Sequence, residues 1–392
     1  MRIALFSGNY NYLREGANQA LNMLVRYLEE EAGHTVRVYS PVTKTPAFEP
    51  AGTLIPVPSM RLPIRGEFQL ALGLGRAIRR DVERFAPDLV HVSTPDILGT
   101  RAQTFARQLG VPVVASLHTR FESYLQYYGL NWVRPIVEAH LDRFYRRSDH
   151  VLAPTPVLVD ELKPILGDER VSLWSRGVDR SLFRPDRRDL GWRRAHGIGD
   201  DEIALLFFGR LVLEKGIATF IAVVDALKRR GIVVRPLLVG DGPALGLFGE
   251  VAGVVSTGHL QGDELATAVA SADIMLSPSV TEAFGNVVLE AMASGLPIVS
   301  ADVPSARTLI DTGQTGFLSP VHDTDHYAAT IETLIASCDL RRTIGIAARK
   351  ASETYSWDAA SASVERAYQH TMGRAERPTP HAQSCAADAQ LE

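Results

Sequence analysis

Apolar residues along this chain fall into short runs that alternate with stretches spaced three and four residues apart. Arg2–Ser7 is the first run, closed by Gly8. Ala17–Glu31 follows with Leu21, Leu24, Val25 and Leu28 at helical spacing, and Thr35–Ser40 is β-branched. Strand, helix and strand in that order make a βαβ unit. Asp88–Ser93 and Pro112–Leu117 predict two more buried strands with a helix at about Thr100–Leu109 between them, and Val151–Pro154 and Val171–Ser175 add two. Such alternation implies a parallel sheet with helices on both faces. Val178–Asp201 is rich in Arg, Asp, Pro and Gly and shows no strand pattern. The alternation then restarts with strand Ile203–Phe208, helix Gly216–Arg230 and strands Val233–Val239, Ala272–Ser277 and Pro297–Ala301. Two α/β domains are expected, over 1–180 and 185–355. Trp357–Met372 has a helical pattern, and 374–392 is expected to be a disordered tail.

A length of 392 residues, 46% hydrophobic and 22% charged, suits two soluble domains. The net charge of −4 argues against a nucleic-acid partner. Residues 1–185 hold 23 basic against 19 acidic side chains, and the remainder 18 against 26. The basic half either attracts phosphate or an anionic membrane surface, or reflects ordinary fluctuation. Met60–Phe85 carries Arg61, Arg65, Arg76, Arg79, Arg80 and Arg84 among Leu, Ile and Phe. It reads either as an interfacial amphipathic segment or as a solvated basic face over a core. Two cysteines, Cys338 and Cys385, make no disulfide framework or metal motif, and point to a reducing compartment. The MRIALFSGNY start has too short an apolar run for a signal peptide, and no stretch approaches a membrane span. A cytoplasmic protein, at most peripheral to the inner face of a membrane, is the expectation.

The strongest chemical signal is Ser277–Pro297, which leaves a strand end and enters a helix at about Val287–Ala293. Glu282 and Glu290 are separated by seven residues, among them Ala283, Phe284, Gly285 and Asn286. Asn286 is a good N-cap type, and a helix N-terminus with unpaired N–H groups suits a phosphate. Gly285 lets backbone approach a ligand. Read locally, Glu282 could equally complement the helix dipole and Glu290 be solvated. In FFGRLVLEKG, Phe207–Gly216, a strand ends at Gly209 with Arg210 and Lys215 in the following loop. Two cations there could clamp a diphosphate, or could simply be surface residues.

Together these segments and Ser175–Pro185, SRGVDRSLFRP, resemble the retaining glycosyltransferase family 4. The resemblance implies a GT-B architecture: two Rossmann-like doubly wound domains facing across a cleft, with the helix 357–372 returning to the first. It implies that Arg210 and Lys215 bind the donor diphosphate, that Glu282 contacts the transferred sugar, and that Gly209, Ala283, Phe284, Gly285 and Asn286 offer backbone beside it. Glu290 would bind the ribose. Gly240 and Gly242 in VGDGP, Val239–Pro243, resemble the turn beside the nucleotide, or form an ordinary turn. His118 in ASLHTRF, Ala115–Phe121, resembles the family's histidine near the reaction centre, or is a packed imidazole. Family members carry two adjacent glycines after the first strand; here the loop shows only Gly16, in Arg14–Asn18. Arg176 stands where many members have Asn, as in the subgroup that glycosylates lipids, including mannosyl- and sulfoquinovosyl-type transferases.

The implied reaction moves a hexose-type sugar from a UDP- or GDP-linked donor to a hydroxyl of a lipid or glycan precursor, with retention and without metal or other cofactor. A nicotinamide oxidoreductase is disfavoured, since no G-x-G-x-x-G follows Arg2–Ser7. A non-catalytic nucleotide-sugar-binding protein or a GT-B epimerase would share the same motifs. Asp323-Thr-Asp325 looks like a metal-binding pair, but lies beyond the expected site strands. Gly73-Leu-Gly75 sits inside a helical pattern and makes no dinucleotide fingerprint.

Overall fold

The computed structural model describes residues 1–13, 15–61, 68–118 and 125–375. Arg14, Arg65, Phe121, Cys385 and the expected tail from 376 onward lie outside them. The described residues form two compact units. One comprises 1–118, 135–175 and the helix from Trp357; the other comprises 125–134 and Arg176–Ser356. The segment 125–134 thus groups with the second unit, although in sequence order it falls within 1–180.

The first unit holds a seven-stranded sheet: β1 (Arg2–Phe6), β2 (Thr35–Ser40), β3 (Thr53–Pro56), β6 (Leu89–Val92), β7 (Val113–Ser116), β8 (His150–Ala153) and β9 (Val171–Leu173). The order is β3-β2-β1-β6-β7-β8-β9, and every pair is parallel. β4 (Ser59–Arg61) and β5 (Gln69–Ala71) form a separate antiparallel pair. The central strands are apolar on both faces because helices cover both. On one face Ile3, Leu5, Val36 and Val38 pack with Leu21, Leu24 and Leu28 of the helix Gly16–Glu30 and with Val364 and Tyr368 of the helix Trp357–Ala375. On the other, Ala4, Phe6, Val90 and Val92 meet Ile78, Val82 and Phe85 of the helix Arg76–Phe85. That helix starts after Gly75, so the Gly73–Gly75 pair precedes a helix and is not inside one. Its apolar side faces the core, which leaves Arg76, Arg80 and Arg84 as an exposed basic face.

The second unit repeats the plan with six parallel strands: β10 (Ala204–Phe208), β11 (Arg235–Val239), β12 (Val255–Ser256), β13 (Ile274–Ser277), β14 (Ile298–Ala301) and β15 (Phe317–Ser319). Their order is β12-β11-β10-β13-β14-β15. Both sheets run outward in opposite directions from their first strand. The topological switch point therefore falls between β1 and β6 in one and between β10 and β13 in the other, where doubly wound folds bind ligands beyond the strand ends. The stretch 178–201 has no strand but a short helix, Leu190–Ala195. Its Arg193 is buried; Nη1 donates to Asp273 Oδ2 at 2.9 Å and to Ser271 O at 2.7 Å, and Nη2 to Gly199 O and Glu202 O. Asp273 also accepts from Ala204 N, so the pair ties the starts of β10 and β13 together.

Candidate functional site

The second unit gathers the motif residues at its switch point. Past β10 the chain runs through Gly209 and Arg210 to a single 3-10 turn, Leu213–Lys215, and enters the helix Ile217–Arg229 at Gly216. Past β13 it runs through Pro278–Phe284 into the helix Asn286–Ala293. Lys215 Nζ donates to Glu282 Oε1, an ion pair between the two loops, and both side chains are largely shielded. Beneath it, Ser279 Oγ and Thr281 Oγ1 donate to Glu214 O at 3.5 and 3.1 Å, clamping the 3-10 turn to the second loop. No pattern in the sequence marks these two hydroxyls, because their partner is a backbone carbonyl more than sixty residues away.

The glycine turn after β11 packs onto the loop after β10. Leu211 N donates to Asp241 O and Ala244 N to Leu211 O. A Cβ on Gly240 would overlap Gly209 O, and one on Gly242 would overlap Leu211 O. These glycines are required by loop-on-loop contact, more than an ordinary turn asks. In the second loop the helix cap is Gly285, with φ +105°, and not Asn286, which is the first helical residue. The left-handed backbone that only glycine adopts without strain is needed at the cap itself. Phe284 is buried with its ring edge-on to Tyr355, and Ala283, Asn286 and Glu290 are half-buried. Glu290 lies one turn into the helix. The Asp-x-Asp candidates have local uses: Asp323 caps the helix Thr324–Ala336 through His326 N, and Asp325 pairs with Arg230 at 3.1 Å.

In the first unit the loop past β1 has Gly8, whose N–H donates to Thr94 Oγ1 at 3.0 Å. Beside it stands Asp96, which caps the helix Ile97–Gln108 by accepting from Gly99 N at 2.7 Å. Burial pushes the Asp96 carboxyl upward. Gly16, expected as the loop glycine, is instead the first residue of the helix Gly16–Glu30. Thr94 and Asp96 carry no sequence signal of their own, for nothing local links them to Gly8.

His118 lies just past β7, half-buried, its ring 5.0 Å from that of Trp174 and edge-on to it. It takes part in a hydrogen-bonded series. Tyr368 Oη lies 2.6 Å from His91 Nδ1, His91 Nε2 2.9 Å from Ser116 Oγ, and Ser116 Oγ 2.8 Å from His118 Nε2. Tyr368, His91 and Ser116 are buried, and burial pushes His91 down to about 3, so its ring is neutral. Arg176 is likewise buried, which lowers its guanidinium to about 9. Asp179 of the same string accepts from Ser181 N and Leu182 N, closing a turn.

Cations, a carboxylate and a helix N-terminus at the switch point of a doubly wound sheet suit a ligand that carries phosphate. Known proteins agree. The profile described as Glycosyltransferase Family 4 matches residues 14–182, and that described as Glycosyl transferases group 1 matches 202–337. The chain is 32% identical over 375 residues to the sulfoquinovosyl transferase SQD2 of Arabidopsis thaliana, covering 93% of this chain and 72% of that one. It is 32% identical over 384 residues to a GDP-mannose-dependent alpha-mannosyltransferase of Mycolicibacterium smegmatis, covering 95% and 98%. Among solved structures, sucrose-phosphate synthase from Thermosynechococcus elongatus superposes with a TM-score of 0.76 at 21% identity, over 95% of this chain and 99% of that one. The chain belongs to glycosyltransferase family 4 and has the GT-B fold. It is a glycosyltransferase, and a binding-only, epimerase or oxidoreductase role finds no support among these relatives. Among the described residues, no helix is long and apolar enough to cross a membrane.

Proposed function

We propose that this enzyme transfers a hexose-type sugar from a GDP- or UDP-linked donor to a lipid or glycan-precursor hydroxyl, with retention and without a metal. The reading is carried by the Lys215–Glu282 pair at the β10–β13 switch point, beside the N-terminus of the helix Asn286–Ala293. An ammonium has three N–H donors, and Glu282 takes one of them. The others can reach diphosphate oxygens while Glu282 turns its second oxygen to the sugar. Arg210 and the helix end add positive potential where charge grows on the departing phosphate. Glu290 binds the ribose, and the Gly209, Gly240 and Gly242 backbone lies against the nucleotide. In the first unit, His118 acts on the transferred sugar, as the family resemblance implies, and Gly16, the first residue of a helix, contacts the donor.

With no side chain assigned as a covalent nucleophile, retention follows from same-face attack on an oxocarbenium-like sugar, the leaving phosphate taking the acceptor's proton. A guanine donor is suggested by the mannosyltransferase relative, and a lipid acceptor by the Ser175–Asp179 string. The exposed Arg76, Arg80 and Arg84 face suits the anionic inner surface of a membrane, which favours a position at its cytoplasmic side. Thermal-shift measurement against GDP, UDP, ADP and their sugar conjugates tests the donor. Stability rises with the logarithm of ligand over Kd, so a binder at 100-fold its Kd adds about 2.7 kcal/mol. If none shifts the transition, the donor reading is wrong.

A further inference from the structure

The series from Tyr368 to His118 has a direction that its hydrogen bonds dictate. Tyr368 is wholly buried, and among the described residues His91 Nδ1 is the one group within hydrogen-bond distance of its hydroxyl. The hydroxyl proton must go to that nitrogen, since a buried O–H without an acceptor is costly. A neutral imidazole that accepts at Nδ1 carries its proton on Nε2. His91 is neutral, its protonation opposed by burial, so Nε2–H donates to Ser116 Oγ. Ser116, having accepted that bond, donates its own proton to His118 Nε2. The opposite direction would leave the Tyr368 proton stranded in the core.

We propose that Tyr368 is a positioning residue for the transfer reaction, fixing His118 through His91 and Ser116 as its Nδ1–H tautomer. The inference rests on the assignment of His118 to the transferred sugar. Its chemical content is that the His118 lone pair on Nε2 is occupied. Nε2 then cannot be the base that deprotonates the acceptor, and Nδ1 carries the proton of the ring. Tyr368 lies on the helix Trp357–Ala375, 277 positions from His91. No motif around His118 contains it.

Full-length protein labelled with 15N in its histidine rings tests this, with the His118 signal assigned by its loss in His118→Gln. In the unsubstituted protein at neutral pH, His118 should show a protonated Nδ1 and an unprotonated Nε2. Tyr368→Phe removes one oxygen from a packed ring, and Ser116→Ala breaks the series one link from its end. Both should move His118 toward the Nε2–H form or an averaged mixture, with histidine signals other than His91 unmoved. Turnover should fall about tenfold, a loss of about 1.4 kcal/mol in the barrier, with donor KM within about twofold. A native His118 protonated on Nε2, or a Tyr368→Phe spectrum with His118 unchanged, overturns the series. A changed tautomer with undiminished turnover, together with normal transfer by His118→Gln, overturns the catalytic half of the proposal and leaves the series standing.

Discussion

In the second unit the groups assigned to the donor stand on loops, charged and partly exposed, and the loops are held by backbone contacts. Lys215 and Glu282 meet across two strand ends, while Gly209, Gly240 and Gly242 let the turns touch. In the first unit the strand order is similar, yet the residue assigned to the chemistry is held from behind by uncharged buried groups: Ser116, His91 and Tyr368. On the proposed assignment one side meets a diphosphate, whose charge calls for opposing charge, and the other meets sugar hydroxyls, which are read by oriented donors and acceptors. The same scaffold thus carries paired charge at the strand ends of one copy and an uncharged hydrogen-bonded series at those of the other.

The sharpest way to break the contrast is to disturb the loop contact. Gly240→Ala places a Cβ into Gly209 O at φ +139°, so strain and overlap together should destabilise by about 4 kcal/mol. A thermal transition within about 1 °C of the unsubstituted protein, where a loss of that size should move it by several degrees, would show that the loops part readily. Next, Lys215→Ala should lower kcat by about 100-fold, near 2.7 kcal/mol, while the far-ultraviolet spectrum and melting behaviour stay close to native. Near-normal turnover would remove the charge-based account of the second unit.

The buried histidines of the first unit predict a pH effect of intermediate size. Burial holds His91 at about 3 and His150 at about 4, below the ordinary 6.5. Both bind protons on unfolding at any pH between those values and 6.5. Their contribution to stability is complete above pH 6.5 and is lost as the pH falls. For His91 the loss between pH 6.5 and 5 is about 2 kcal/mol. Hydrogen exchange should show β6 and β7 losing protection on acidification; a profile flat from pH 7 to 5 would exclude it. The smallest effect is expected from Asp323→Ala, a lost helix cap worth about 1 kcal/mol with turnover unchanged. Activity that collapsed and returned with added divalent cation would reinstate a metal role for the Asp-x-Asp pair.

Much of this architecture can be read from residue order alone, for physical reasons. β1, β10, β11 and β13 are apolar runs buried on both faces, so hydrophobicity reports them directly. β3, β12 and β15 are two to four residues long with partly exposed side chains, and no run exists to be seen. Arg210, Lys215, Glu282 and Glu290 stand out because each pair lies within one short segment that resembles a family motif. Their pairing does not, as Lys215 and Glu282 are 67 positions apart. Cap statistics favour a polar side chain such as Asn286, whereas this turn needs the backbone freedom of Gly285. Gly16 stands out in the loop sequence because Gly8 has no marked neighbour; only the fold brings Thr94 and Asp96 beside Gly8.

The helix Trp357–Ala375 belongs to the first unit though it follows the whole second unit in the chain. On a ribosome adding about 5–20 residues per second, Leu21, Leu24 and Leu28 lack the cover of this helix until the second unit has been translated in full. The amino-terminal half thus cannot finish folding as it emerges, and a premature stop near the carboxyl terminus would leave it with a bare greasy flank, prone to capture by chaperones.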